Sequence, residues 1–337
     1  MLGIYCGSRA NFGRLKGLFD LLIDKGYPFR IIGGNFRLDF EYLSYITSYI
    51  EYDSKQNLGL LIPDITKKMY IFLDMVDNYI DSILVHGDRY EVYATALAAF
   101  LKGIPIYHTE GGEVSGCLDN TFRNMISCMA TTHLVPSQLS ADRLAATGYT
   151  NLHVVGSLAL DPLNSFIKDF NNYNTSFTGG HILCVYNPVT DRHEDPIPYM
   201  NALAKLSKDG FKLIIAEPCR DPGYLEIMDL YKQYGLLDYV VYTLQHSKFI
   251  EALYGSYIMI GNSSSGIKEA AFLRKPYILV GSRQNSRETE GNVFRASMDE
   301  KEITDLVAEY FGKVMWYKGT WGYGDAAEKI YKILKEG

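Results

Sequence analysis

SILVHGDRYEVYATALAAFLKGIPIYHTEGGE, residues 82–113, decides the fold. Its first four residues form a short apolar run of buried-strand length, and residues 90–101 form a helix-like stretch free of glycine and proline. Lys102-Gly103 closes that stretch, and a second apolar run follows at 104–107. Strand, helix and strand within about thirty residues make the βαβ unit of a parallel sheet.

The same alternation runs outward in both directions. Strands are expected at 2–5, 29–32, 133–136 and 153–155, with helices at 15–25, 58–79 and 118–129. Residues 170–180, FNNYNTSFTGG, lose the hydrophobic pattern and fill with Asn, Ser, Thr and Gly, as a linker does. A second set follows, with strands at 182–186, 212–216, 239–241, 258–260 and 277–280 and helices near 199–208, 224–234 and 264–273. Two doubly wound α/β domains are expected, 1–170 and 178–321, with a ligand cleft between the carboxyl ends of their sheets.

Bulk properties narrow the function. The chain has 337 residues, 47% of them hydrophobic, enough for two ordinary cores. No apolar run approaches the roughly 18 residues of a membrane span. The short run at 1–5 lacks the basic start of a signal peptide, so a cytoplasmic location without membrane contact is expected. A net charge of −6 argues against a surface devoted to nucleic acid. Cys6, Cys117, Cys128, Cys184 and Cys219 are widely spaced and without a CxxC pair, so they read as reduced thiols, not as a disulfide framework or zinc site.

The candidate chemistry sits in turns that follow strands. Residues 7–13, GSRANFG, open a helix whose first N–H groups can receive an anion, with Arg9 adding charge; an ordinary strand-to-helix turn is the competing reading. Asp88 and Arg89 stand directly after 82–85, where open α/β sheets place active residues. The competing reading makes Asp88 a helix cap and leaves Arg89 in solvent. Glu110 and Glu113 flank Gly111-Gly112 after the next strand, and Asp119 and Arg123, four apart, share one helix face. Acids crowded into a cleft can divide the roles of acid and base; a glycine loop with surface acids and a local Asp–Arg pair is the alternative.

In the second half, Gly261-Asn262-Ser263-Ser264-Ser265-Gly266 joins a strand to a helix, and small residues there let backbone approach a diphosphate. Glu269, one turn into that helix, is placed to accept ribose hydroxyls. Arg283 and Arg287, in RQNSR, offer cations to the same phosphates. His133, His153 and His181 fall in or beside strands and read as packed; His193 and His246 sit in loops.

Together these segments resemble the hydrolysing UDP-N-acetylglucosamine 2-epimerases, in the sialic-acid-pathway branch of a family with the GT-B fold. The stretches that carry the resemblance are HGDRYEVYATALAAFLKGIPIYHTEGGEVSGCLDNTFR and GNSSSGIKEAAFLRKPYILVGSRQNSRETEGNV, with weaker ones at GSRANFG and YGDAAEKIYKIL. They run in family order across nearly the whole chain. The resemblance implies that Arg9, Arg89, Ser263, Ser264, Glu269 and Arg283 hold UDP, with Ser265, Gly266 and Arg287 beside them. It implies that Asp88, Glu110, Glu113, Asp119 and Arg123 surround the sugar. It also implies a last helix within 325–335 that returns with 322–337 to the first domain, a homodimer, no metal, and a UDP-sugar as substrate without a separate cofactor. In the family a carboxylate removes the C2 proton, UDP leaves across C1–C2, and the glycal takes up water to give N-acetylmannosamine.

Three positions depart from the pattern. Asn187-Pro188-Val189-Thr190 stands where the family has a catalytic histidine in His-Pro-Val-Thr, and asparagine does not carry protons near neutral pH. Asn11 and Asn120 each replace an acid. The first reading is therefore a hydrolysing 2-epimerase in which a neighbouring group covers for the histidine. The second is a glycosyltransferase on the same frame, with Asp88, Glu110 or Glu113 deprotonating a small-molecule or modified-DNA acceptor. The third is an inactive nucleotide-sugar sensor, which the retained acids disfavour.

Overall fold

The computed structural model describes residues 1–35, 40–53, 57–76, 79–169, 179–189, 194–219, 223–241 and 246–336. Most of the expected linker (170–178), Thr190 and His193 lie outside the described residues. The chain divides into two compact units: Met1–Glu113, Asp119–Ser165 and Thr320–Gly337 form one, and Val114–Leu118 and Phe166–Gly319 the other.

The first stretch of chain runs β1 (Leu2–Cys6), α1 (Arg9–Asp24), β2 (Phe29–Gly33), β3 (Ile46–Tyr49), α2 (Leu58–Met75), β4 (Ser82–His86), α3 (Tyr90–Leu101), β5 (Ile106–Thr109), α4 (Asp119–Met129), β6 (Thr132–Val135), α5 (Gln138–Ala146), β7 (Leu152–Val154) and α6 (Asp161–Lys168). Among the described residues its sheet has the order β3-β2-β1-β4-β5-β6-β7, and every pairing is parallel. The second unit runs β8 (His181–Val185), α7 (Ile197–Lys208), β9 (Leu213–Ala216), α8 (Tyr224–Gln233), β10 (Val240–Val241), α9 (His246–Gly255), β11 (Ser256–Gly261), α10 (Glu269–Phe272), β12 (Tyr277–Val280), β13 (Val293–Ala296) and α11 (Glu300–Tyr310). Its parallel sheet has the order β10-β9-β8-β11-β12-β13. Each unit is thus a doubly wound Rossmann-like fold, with its strand order reversing between β1 and β4 in one and between β8 and β11 in the other.

The period-2 alternation of a strand explains why helices cover both faces. From β1, Leu2, Ile4 and Cys6 enter a core with α1, whereas Tyr5 turns to the other face with Ile32, Ile83, Val85 and the apolar side of α2 and α3. The last helix, α12 (Ala326–Glu336), buries Ala326, Ile330 and Leu334 in the α1 core and so belongs to the first unit. Among the described residues no helix is long and apolar enough to cross a membrane.

Some boundaries differ from the sequence reading, for local reasons. The first helix begins at Arg9 instead of residue 15, because Ser8 caps it by accepting the Asn11 N–H. The expected helix at 264–273 is broken: Ser264–Gly266 is one 3-10 turn, and α10 follows with four residues. His246 opens α9 and is not in a loop. The edge strands β3 and β13 were not anticipated, since their half-exposed residues carry no apolar run.

Candidate active site

In a doubly wound sheet, ligands gather at the carboxyl ends of the strands where the order reverses. In the first unit those ends are the turns after β1 and β4, and both carry candidate residues. Arg9 is the first residue of α1. Asn11, buried, donates from Nδ2 to the carbonyl of His86 at 3.1 Å, which ties the turn after β1 to the end of β4.

Asp88 and Arg89 precede α3, but the cap reading of Asp88 does not hold. Arg89 occupies the N-cap position without a side-chain cap bond, and its Nε donates to the buried Glu91 at 2.7 Å. Asp88 instead accepts a charged hydrogen bond from Arg123 Nη2, thirty-five residues along the chain. Arg123 is only 1% exposed and also donates from Nη1 to Asn120 Oδ1 at 3.0 Å and to the Glu113 carbonyl at 3.1 Å. Asp119 opens α4 one turn before Arg123. The turn after β4 and the first turn of α4 therefore meet on one guanidinium, whose planar fork suits several acceptors at once.

Glu110 and Glu113 are both buried. Glu110 has a φ of 66°, a left-handed conformation that non-glycine residues adopt at a cost, and such strain concentrates at functional sites. Ser157 Oγ donates to its Oε1 at 2.7 Å. The turn needs glycine at 112: its φ is 76°, and a Cβ there would stand 2.2 Å from the Ser140 carbonyl oxygen. His108 supports this region from below. Its Nε2 lies 2.9 Å from the Gly87 carbonyl and its Nδ1 3.1 Å from Ser127 Oγ, so the ring carries its proton on Nε2 and accepts at Nδ1. Burial pushes its pKa down to about 3, which keeps it a neutral spacer under the Asp88 turn.

In the second unit the reversal lies between β8 and β11, and the turns there are Asn187 and the serine loop. The two are joined reciprocally: Asn187 N–H donates to Asn262 Oδ1 at 2.7 Å, and Asn262 Nδ2 donates to the Asn187 carbonyl at 2.8 Å. The Asn187 side-chain oxygen accepts the Cys219 N–H at 2.9 Å. Arg283 Nη1 and Gln284 Nε2 both donate to the Asn262 carbonyl, at 3.3 and 3.1 Å, so the loop after β12 is brought to the serine loop. Tyr277 OH, fully buried, bonds the carbonyls of Gly261 and Ser263 at 2.8 and 2.9 Å. Ser263 Oγ caps the following turn at Ser265 N, and Gly266 is buried behind it. Arg287 ends the turn that begins at Gln284.

Glu269 is the first residue of α10, not one turn into a helix, and it is buried. Four residues are too few for a helix dipole to assist an anion, so any phosphate affinity must come from the loop N–H groups, the serine hydroxyls, Arg283 and Arg287. Of the histidines read as packed, His133 and His181 are buried and His153 is half-buried. His181 meets the Ala252 carbonyl at 2.7 Å. Asn262, Tyr277, Gln284 and His108 lie inside the stretches quoted from sequence but carry no role of their own there, and Ser157 lies outside them. Each acts through a partner at least 14 residues away, which no local pattern records.

The family model described as UDP-N-acetylglucosamine 2-epimerase matches residues 36–335. The hydrolysing UDP-N,N'-diacetylbacillosamine 2-epimerase of Legionella pneumophila is 31% identical over 268 residues, 76% of this chain and 71% of that protein. The UDP-N-acetylglucosamine 2-epimerase of Neisseria meningitidis serogroup B is 26% identical over 90% of this chain and 85% of its own. Among solved structures, the Methanocaldococcus jannaschii UDP-GlcNAc 2-epimerase in complex with UDP-GlcNAc and UDP is similar with a TM-score of 0.83 at 18% identity, covering 100% of this chain and 99% of that one. The likeness agrees with a GT-B fold of two Rossmann-like domains.

Proposed function

The chain belongs to the UDP-N-acetylglucosamine 2-epimerase family, and we propose that it is a hydrolysing member that releases UDP from a UDP-sugar. The observation that carries this reading is the meeting of Asp88, Asn120 and the Glu113 carbonyl on buried Arg123, with strained Glu110 in the same unit. Elimination needs a base for the C2 proton and groups that steady the departing C1 oxygen. Asp88, Glu110, Glu113 and Asp119 supply candidate bases, and Arg123 holds Asp88 in one orientation. Arg9, Arg89, Ser263, Ser264, Ser265, Gly266, Glu269, Arg283 and Arg287 would bind the nucleotide. The proton leaves C2, the C1–O bond to UDP breaks, and water adds to the glycal. A UDP-sugar is the substrate, and the resemblance implies neither metal nor separate cofactor, a homodimer and a cytoplasmic location.

A second reading, transfer of the sugar to an acceptor, is favoured by Asn187. Its carboxamide oxygen is engaged by a backbone N–H where the family places a proton carrier. Incubation with UDP-N-acetylglucosamine, or with the diacetylbacillosamine nucleotide acted on by the Legionella relative, distinguishes the two. UDP released in buffer alone supports hydrolysis, and UDP released only when an acceptor is added overturns it.

A further inference from the structure

Glu194 is the first described residue after 190–193, and no motif led to it. Its carboxylate nevertheless joins two loops of the candidate site. Oε2 accepts the Ser282 N–H at 2.9 Å and the Ser282 hydroxyl at 2.7 Å, and Oε1 accepts the Tyr186 hydroxyl at 3.3 Å. Tyr186 immediately precedes Asn187 at the end of β8, and Ser282 immediately precedes Arg283 in the loop after β12. In the sheet, β11 lies between those strands, so Glu194 spans the carboxyl end of the strand that delivers the serine loop.

The sequence around the contact is fitted to it. Gly281 has a φ of 73°, and a Cβ there would lie 2.2 Å from Glu194 Oε1. Only glycine lets the carboxylate reach the loop backbone at this point. Tyr186 is 2% exposed and stacked on Tyr199, with ring centroids 4.7 Å apart, so its hydroxyl approaches the carboxylate from a fixed side. The three donors to Glu194 are neutral, and hydrogen bonds to a carboxylate are stronger than those between neutral groups.

We infer that Glu194 is a positioning residue for nucleotide binding, holding the loop that begins at Gly281 so that Arg283 stays on the Asn262 carbonyl beside the serine loop. The inference rests on the proposed reading that Arg283 binds UDP. Glu194 touches no substrate in this account and acts only through Ser282 and Arg283.

The test is a double-mutant cycle read by UDP calorimetry on the full chain, with thermal melting run in parallel. Glu194→Ala is expected to weaken UDP binding by about tenfold or more, the scale of a charged hydrogen bond. Glu194→Gln, which keeps an acceptor for Ser282, is expected to recover part of that loss, and it replaces the alanine variant should that one fail to fold. Arg283→Ala should weaken binding on its own, and adding either Glu194 substitution to it should cost little more. Additive losses in the folded double variant, or unchanged UDP affinity in folded Glu194→Gln and Glu194→Ala, overturn the inference. Unchanged affinity in Arg283→Ala overturns the underlying reading instead, so the two failures are separable.

Discussion

Around Arg123 the first unit sets charge against charge, whereas around Asn262 the second unit joins amides and backbone, with Arg283 meeting a carbonyl there. Arg123 and Glu113 are buried, and Asp88 meets the guanidinium directly. In the second unit Asn187, Asn262, Gln284 and Tyr277 exchange neutral hydrogen bonds that fix three loops to one another. Burying ions is costly and does not by itself stabilise a fold, so a cluster of them fits a reactive role better than a scaffold role. A hydrogen-bonded network of neutral groups sets shape. On the proposed function, the contrast would put the acid–base chemistry in the first unit and most of the nucleotide contacts, apart from Arg9 and Arg89, in the second.

The sharpest way to break that division is to neutralise the acids. Asp88→Asn and Glu110→Gln should each lower turnover by about 10² or more, the scale of acid–base groups, while UDP affinity stays close to native. Turnover and calorimetric UDP affinity measured together check this. A joint collapse of both would mean that these acids, and not only Arg9 and Arg89 of the first unit, are needed to hold the nucleotide. The reciprocal change is Glu269→Ala, expected to weaken UDP affinity by about 1.5–3 kcal/mol with turnover at saturating substrate little altered. Unchanged affinity would remove buried Glu269 from the nucleotide site.

How much of this arrangement could be read from sequence follows from the range of the interactions. The turns after β4, β5 and β11 were legible because a strand, a turn and a helix are contiguous, and α/β sheets put function there. Arg123 was legible as a candidate, but its bond to Asp88, thirty-five residues away, was not. The contacts of Glu194 and Asn262 were invisible for the same reason at longer range, with partners 88 and 75 residues away. The break between Ser264–Gly266 and α10 was hidden because Ser263 caps a 3-10 turn instead of a helix, and its carbonyl accepts the Tyr277 hydroxyl from a strand farther along the chain.

Not every buried acid of the first unit belongs to the candidate site, and Asp161 sharpens that point. Its Oδ1 accepts the Ala327 N–H at 2.9 Å at the start of α12. Burial, with Asp325 adding to it, raises its pKa to about 7, against the pull of the Ala327 and Ala326 N–H groups. The folded state thus holds this proton more tightly than the unfolded chain, and stability falls as pH rises from the ordinary carboxylate range to about 7. Between pH 6 and 8 the loss from this group should be about 1–1.5 kcal/mol. Asp161→Asn keeps the acceptor for Ala327 and should flatten that part of the profile in denaturant melts. An unchanged slope would show that Asp161 is already ionised throughout.

The smallest expected effect decides the most about Asn187. Asn187→His restores the family's residue in a loop that keeps Pro188 and Val189. The Cys219 N–H now donates to the Asn187 oxygen, and a neutral imidazole can accept it only at the ring nitrogen that carries no proton. The fold should therefore lose about 0.5–1 kcal/mol, the net worth of one strained or lost hydrogen bond. If the protein hydrolyses UDP-N-acetylglucosamine and a neighbour covers for the missing proton carrier, UDP release should rise in the variant, and we expect that rise. It would extend the chemistry into the second unit and blur the contrast with the first. If release does not rise, and the native protein consumes a UDP-sugar only with an acceptor present, the neutral network around Asn262 is the working state of a transferase. Asn187 then belongs to that network by function as well as by its hydrogen bonds, because a ring that gains charge near neutral pH would disturb a contact that asparagine makes at every pH.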